Sequence, residues 1–104
     1  MQNILKSRVR RRPDLAFRAI DDDAWVLSTR DSSLHRLNPT AAHLWALLED
    51  EPTVAALGVS LAREFEVDLA QALSDAEAFA VTLRDRGLVE LIADGADAFA
   101  AGGR

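Results

Sequence analysis

The sequence predicts an α+β fold in which a three-stranded antiparallel sheet is followed by three helices. Three observations carry this. Up to Leu37 the apolar residues come in short runs separated by polar, turn-forming clusters, the pattern of strands. Beyond Pro39 they recur at helical spacing, beginning with Ala41, Leu44, Trp45 and Leu48. Between the two regimes lies Leu34 to Trp45, LHRLNPTAAHLW, where an extended run passes straight into a helix. Asn38 stops the run and suits an N-cap, because its side-chain oxygen accepts from an orphaned backbone N–H. Pro39 suits the first helical position, where its missing N–H costs nothing.

The first strand is expected over Asp14 to Ile20, with Leu15, Phe17 and Ala19 on one side. Asp21-Asp22-Asp23 reads as a turn. Cation loops place their oxygens at alternating positions and bend at a Gly, and neither feature is present. Ala24 to Thr29 is the second strand, rich in Trp, Val and Leu. Thr29 to Ser33 is a turn of residues that bond their own backbone. Leu34 to Leu37 is the third strand, and such short connections make the sheet a meander.

The first helix runs from Pro39 to Leu48 and is broken by Glu49-Asp50-Glu51-Pro52. Thr53 caps the second helix, whose Val54, Leu57, Leu61 and Phe65 share a face. Gly58 weakens that helix by ~1 kcal/mol relative to Ala. Asp68 caps the third, Leu69 to Arg86, with Leu69, Leu73, Ala76, Ala80 and Leu83 toward the core. Gly87 ends it in the left-handed region, and Leu88-Val89 return to the core. Helices of this kind on a small sheet are winged helix-turn-helix-like.

A chain of 104 residues supports one core. It contains no Cys, which rules out disulfides, thiolate metal sites and a Cys nucleophile and suits the cytoplasm. No apolar run nears the ~20 residues of a membrane span, so no membrane role is expected. The first twelve residues carry five basic side chains and no acid, and the rest carry 7 basic against 17 acidic. This divides the chain into a basic flexible arm over 1–12, a domain over 13–91 and a flexible tail over 92–104. An acidic body is a poor surface for nucleic acid, whose binding rests on cations against phosphate.

The groups that catalysis requires are not arranged for it. His35 falls in the third strand and His43 on the solvent side of the first helix, without metal-ligand spacing. No serine sits in a nucleophile elbow, and the five glycines form no phosphate loop. The expectation is a binding module with no catalytic residues, metal or cofactor.

The run LHRLNPTAAHLW, taken with FEVDLAQALSDAEAFAVTLRDRGLVE downstream, resembles the PqqD-like family of peptide-chaperone domains, also called RiPP recognition elements. The resemblance rests on Leu37-Asn38, Trp45, Phe65, Val67-Asp68, Asp75, Phe79, Leu83 and Gly87-Leu88-Val89, and spans about Pro13 to Glu90. The sequence departs from the pattern in having Glu49-Asp50-Glu51 where a Gly often follows the first helix, and Ala80 where a larger apolar residue is common.

The resemblance implies binding of the leader segment of a ribosomally made precursor peptide, and its presentation to a modifying enzyme such as a radical-SAM enzyme. The leader would add as a strand beside Leu34, His35, Arg36 and Leu37, whose outer edge a meander leaves unpaired. On the third helix Asp75, Phe79, Thr82 and Arg86 share one flank and would wall the cleft. Phe79 would make an apolar pocket, and Asp75 and Arg86 would offer opposite charges. Each also has an ordinary reading, Phe79 as core and the charged pair as a solvated face. The same edge allows a homodimer. Two other functions compete: a winged-helix DNA-binding protein, for which Arg84 and Arg86 against Asp75, Glu77 and Asp85 are a poor recognition surface, and a scaffold subunit of a larger biosynthetic enzyme.

Overall fold

The computed structural model describes residues 4–21 and 23–93. Five strands and three α-helices follow in the order β1 (Arg8–Arg11), β2 (Leu15–Ile20), β3 (Asp23–Ser28), β4 (Ser33–Leu37), α1 (Pro39–Leu47), α2 (Val54–Phe65), α3 (Leu69–Asp85) and β5 (Val89–Ile92). β2, β3 and β4 form the expected antiparallel meander, with β3 in the middle. Its register sets Val26 between Phe17 and His35, and Trp25 between Arg18 and Arg36. Strand side chains alternate faces. Ala24, Val26 and Leu37 are therefore buried on the inner face, while Leu27 and Leu34 stand outward and exposed.

The turns form where polar residues accept left-handed backbone. Asp21 and Ser32 take φ of 56° and 61°. The Asp31 carboxylate accepts from the Ser33 hydroxyl at 2.7 Å and from its backbone N–H at 3.1 Å. All three expected helix caps are made. Asn38 accepts from the Ala41 N–H at 2.7 Å, Thr53 from that of Ala56 at 3.1 Å, and Asp68 from those of Ala70 and Gln71. Gly87 closes α3 with φ 77°.

The expected arm contains a strand. Arg8–Arg11 form β1, antiparallel to β5, with Val9 opposite Leu91 and fully buried. The other edge of β1 is taken as well: the Val9 N–H donates to the Pro52 carbonyl at 2.8 Å and the Val54 N–H to that of Ser7 at 2.9 Å. The basic side chains are anchored. Arg11 donates to the Trp45 carbonyl at 2.6 Å and lies 5.1 Å over its ring. Arg8 and Arg10 converge on Glu51 at 2.8 and 3.3 Å. A single apolar residue in a basic run has no period, so the pattern gave no strand signal. Ile92, expected in the tail, ends β5; residues 94–104 lie outside the described residues.

The core gathers Leu44, Trp45 and Leu48 from α1 and its extension, Val54, Leu57 and Leu61 from α2, and Ala72, Ala76, Ala80 and Leu83 from α3. The buried face of α3 is thus turned slightly from the expected one. Leu69 is 50% exposed, and Phe65 at the end of α2 is 41% exposed. His43 is half-buried rather than on the solvent side: it bonds Ser60 of α2 at 3.1 Å and meets the Phe65 ring edge-on at 5.5 Å. Gly58 also has a packing reason. A Cβ there would lie 2.6 Å from Leu73 Cδ2 and 3.0 Å from Leu73 Cα, so the glycine lets α2 and α3 approach.

Two predictions follow from this packing. Gly58→Ala gains ~1 kcal/mol of helix propensity, yet the crowding against Leu73 makes the net change a loss of about 1–2 kcal/mol. Urea denaturation measures it, and adding Leu73→Ala should recover part of the loss relative to the sum of the single changes. The second concerns acid. The hydrogen bond from Arg8, with the charge of Arg10 beside it, holds the Glu51 carboxyl below its ordinary pKa. A depressed folded value stabilises above the unfolded pKa and is lost as pH falls through the folded one. Stability should therefore fall more steeply on acidification in the wild type than in Glu51→Gln; parallel urea-midpoint curves would show that the pair contributes nothing.

Candidate functional site

Among the described residues β4 pairs only with β3, so its second edge is open. Beside that edge runs a groove of about 520 Å³. Arg36, Leu37 and Asn38 form one bank, and α3 forms the other with Asp75, Phe79, Thr82 and Arg86. These four α3 residues are spaced by 4, 3 and 4 positions, which keeps them within about 60° of one another on the helix. The floor comes from α1, through Ala41 and Leu44.

The direction of the two banks follows from the loop before β4. Arg30 in that loop donates to the Gly87 carbonyl, just past the end of α3, at 3.4 Å. The start of β4 therefore lies near the C-terminal end of α3, and β4 and α3 run in opposite directions. Arg86 sits at one end of the groove and Asp75 toward the other.

Chemically the groove is mixed. Phe79 is half-buried and packs against the core, so only part of its ring faces the opening. Asp75 is exposed, and one of its oxygens accepts from the Gln71 amide at 2.8 Å. Arg86 is exposed and has no ion-pair partner among the described residues. Arg36 is already engaged: it pairs with Asp23 and lies 5.7 Å over the Trp25 ring.

Of the eight residues expected at the site, six line the groove. Leu34 and His35 do not. Leu34 points to the outer face and is 60% exposed. His35 is half-buried on the inner face, its Nε2 2.8 Å from the Ser33 hydroxyl. Both offer the edge their backbone alone. The α1 floor was missed, although the i, i+3 spacing of Ala41 and Leu44 on a helix adjoining the edge strand was the signal for it. A second hollow of about 440 Å³, between Asp23, Arg36, Leu37 and Pro39, continues past the end of β4.

The family model for Coenzyme PQQ synthesis protein D (PqqD) matches residues 24–89. The chain belongs to the PqqD family. The match runs from β3 through α3 into the first residue of β5, so both banks and the floor of the groove lie inside it, whereas β1 and β2 lie outside. Among solved structures, the PqqD-family fold seen here is similar to TbiB1 in complex with the TbiA(beta) leader peptide. That likeness has a TM-score of 0.74 at 22% identity, over 82% of this chain and 99% of that one. It is also similar to lasso peptide synthetase B1 complexed with the leader peptide, with a TM-score of 0.72 at 28% identity, over 80% and 98% of the two chains. Comparison with curated proteins gives no match.

Proposed function

We propose that this PqqD-family protein is a non-catalytic module of the cytoplasm that holds the leader of a ribosomally made precursor peptide and presents it to a modifying enzyme, for example a radical-SAM enzyme. The observation that carries the reading is the unpaired edge of β4 opening onto a groove walled by α3. An added strand finds main-chain donors and acceptors along β4, which give affinity with little regard to sequence. It finds the partly bared Phe79 ring at the middle of the groove, and apolar pockets of this kind give selectivity. The leader-bound states of the two similar B1 proteins support the same use of the fold here.

Titration of isotope-labelled protein with a candidate leader tests this. The expected outcome is amide shift changes along Leu34 to Leu37 and on the Asp75–Arg86 flank of α3. Phe79→Ala should weaken binding by roughly tenfold or more, in line with the ~1–3 kcal/mol of a partly buried aromatic contact. Thermal melts of the same variant separate lost binding from lost folding. Changes confined to β1, or to the outward face of the sheet around Trp25, would sink the reading.

A further inference from the structure

We infer that the groove reads charge order: it favours an extended peptide with a cation, an apolar side chain two residues on, and an anion two residues beyond that. The inference rests on the groove being a peptide site, and adds which peptides it takes and in which direction.

Three features point to it. The α3 bank carries one acid and one base at opposite ends, with the aromatic between them. Asp75, Phe79 and Arg86 are separated along the helix by about 6 and 10.5 Å, at ~1.5 Å per residue. A strand advances ~3.4 Å per residue and shows one face every second residue, so side chains two apart are ~6.8 Å apart. The first interval matches two strand residues directly. The second is about 4 Å longer than two strand residues, a difference within the reach of the long, flexible Arg86 side chain. The other charges near the groove do not cancel this pattern. Arg36, on the β4 bank, is paired with Asp23 and held over the Trp25 ring. The remaining β4 and α1 lining residues named above are uncharged.

The direction follows from the opposed run of β4 and α3. An antiparallel ladder is slightly the more stable per residue, and a guest antiparallel to β4 travels from the Asp75 end to the Arg86 end. Its cation then comes first in sequence and its anion last. A guest running parallel to β4 needs the reverse order.

The test uses two synthetic peptides of equal composition in one polar frame, one carrying Lys-x-Leu-x-Glu and the other Glu-x-Leu-x-Lys, titrated into the full chain with the amide signals of β4 and α3 as readout. The first should bind about tenfold more tightly at low ionic strength, since two exposed pairs change from attractive to repulsive between the peptides. The preference should shrink at ~1 M salt, where the screening length falls to ~3 Å. In the charge-exchanged variant D75K/R86E, both positions being exposed, the preference should invert. Equal binding of both peptides at β4 and α3 would overturn the charge-order inference and leave the groove as a peptide site. A preference for Glu-x-Leu-x-Lys in the wild type would overturn the direction. Failure of both peptides to perturb β4 or α3, while a full-length leader does perturb them, would overturn the inference alone; failure of the leader as well would remove the reading beneath it.

Discussion

The Trp45 side chain ties together segments that are distant in sequence, and the geometry of the groove depends on it. It is 1% exposed. Its ring stacks on Phe17 of β2 at 6.4 Å and carries the Arg11 guanidinium of β1 at 5.1 Å. Burying an aromatic of this size hides roughly 150–250 Å², worth about 4–6 kcal/mol before ordering costs, at about 25 cal/mol per Å². The consequence is positional. With Trp45 fixed under the sheet, α1 cannot swing, and Ala41, one turn earlier, and Leu44, the residue just before it, become the groove floor. Asn38 and Pro39 add the matching constraint from the other side. They end β4 and begin α1 within two residues, so the strand bank and the floor are one rigid corner.

Why the edge of β4 stays open among the described residues follows from how β1 is used. A fourth strand is available in the chain, and if it lay beside β4 the groove would be filled from within. Both edges of β1 are committed elsewhere, one to β5 and the other to the Pro52–Val54 segment. The charges hold it there. Arg8 and Arg10 meet Glu51, and Arg12 meets Glu90 at 3.5 Å. Each exposed pair contributes little on its own. Together with the fully buried Val9 they place β1 away from the open edge, so the four arginines of the first twelve residues serve packing within an acidic body.

What the sequence made legible was local. The strand-to-helix corner, all three N-caps, the Gly87 stop and the order of the central sheet and helices depend on near neighbours, and each has its own residue signature. The α3 flank was equally legible, because helical spacing alone decides that positions 75, 79, 82 and 86 share a side. What was not legible depended on partners far along the chain. β1 exists because Leu88 to Ile92 and the Pro52 segment lie beside it, and no period in Arg8–Arg11 reports that. The expected burial of Leu69 failed for the same reason. Periodicity defines a stripe, but the close approach of α2 to α3 at Gly58 decides which part of the stripe is covered. His43 was placed outside because α2, which supplies Ser60 and Phe65 to it, has no signature in the α1 sequence.

The two banks of the groove divide the work of recognition in a way that frees one from the other. β4 offers a guest its backbone, since Leu34 turns outward and His35 inward; that offer is nearly indifferent to the guest's sequence. Discrimination falls to α3, where the flank toward the groove and the face toward the core are distinct residues. Ala72, Ala76, Ala80 and Leu83 hold the helix in place. Asp75, Thr82 and Arg86 are exposed and can change without opening a cavity, and Phe79 alone belongs to both surfaces. The fold can therefore keep its core while the charged ends of the groove are rewritten for another guest. Phe79 limits that freedom, because altering the pocket at the centre of the groove also disturbs the packing beneath it.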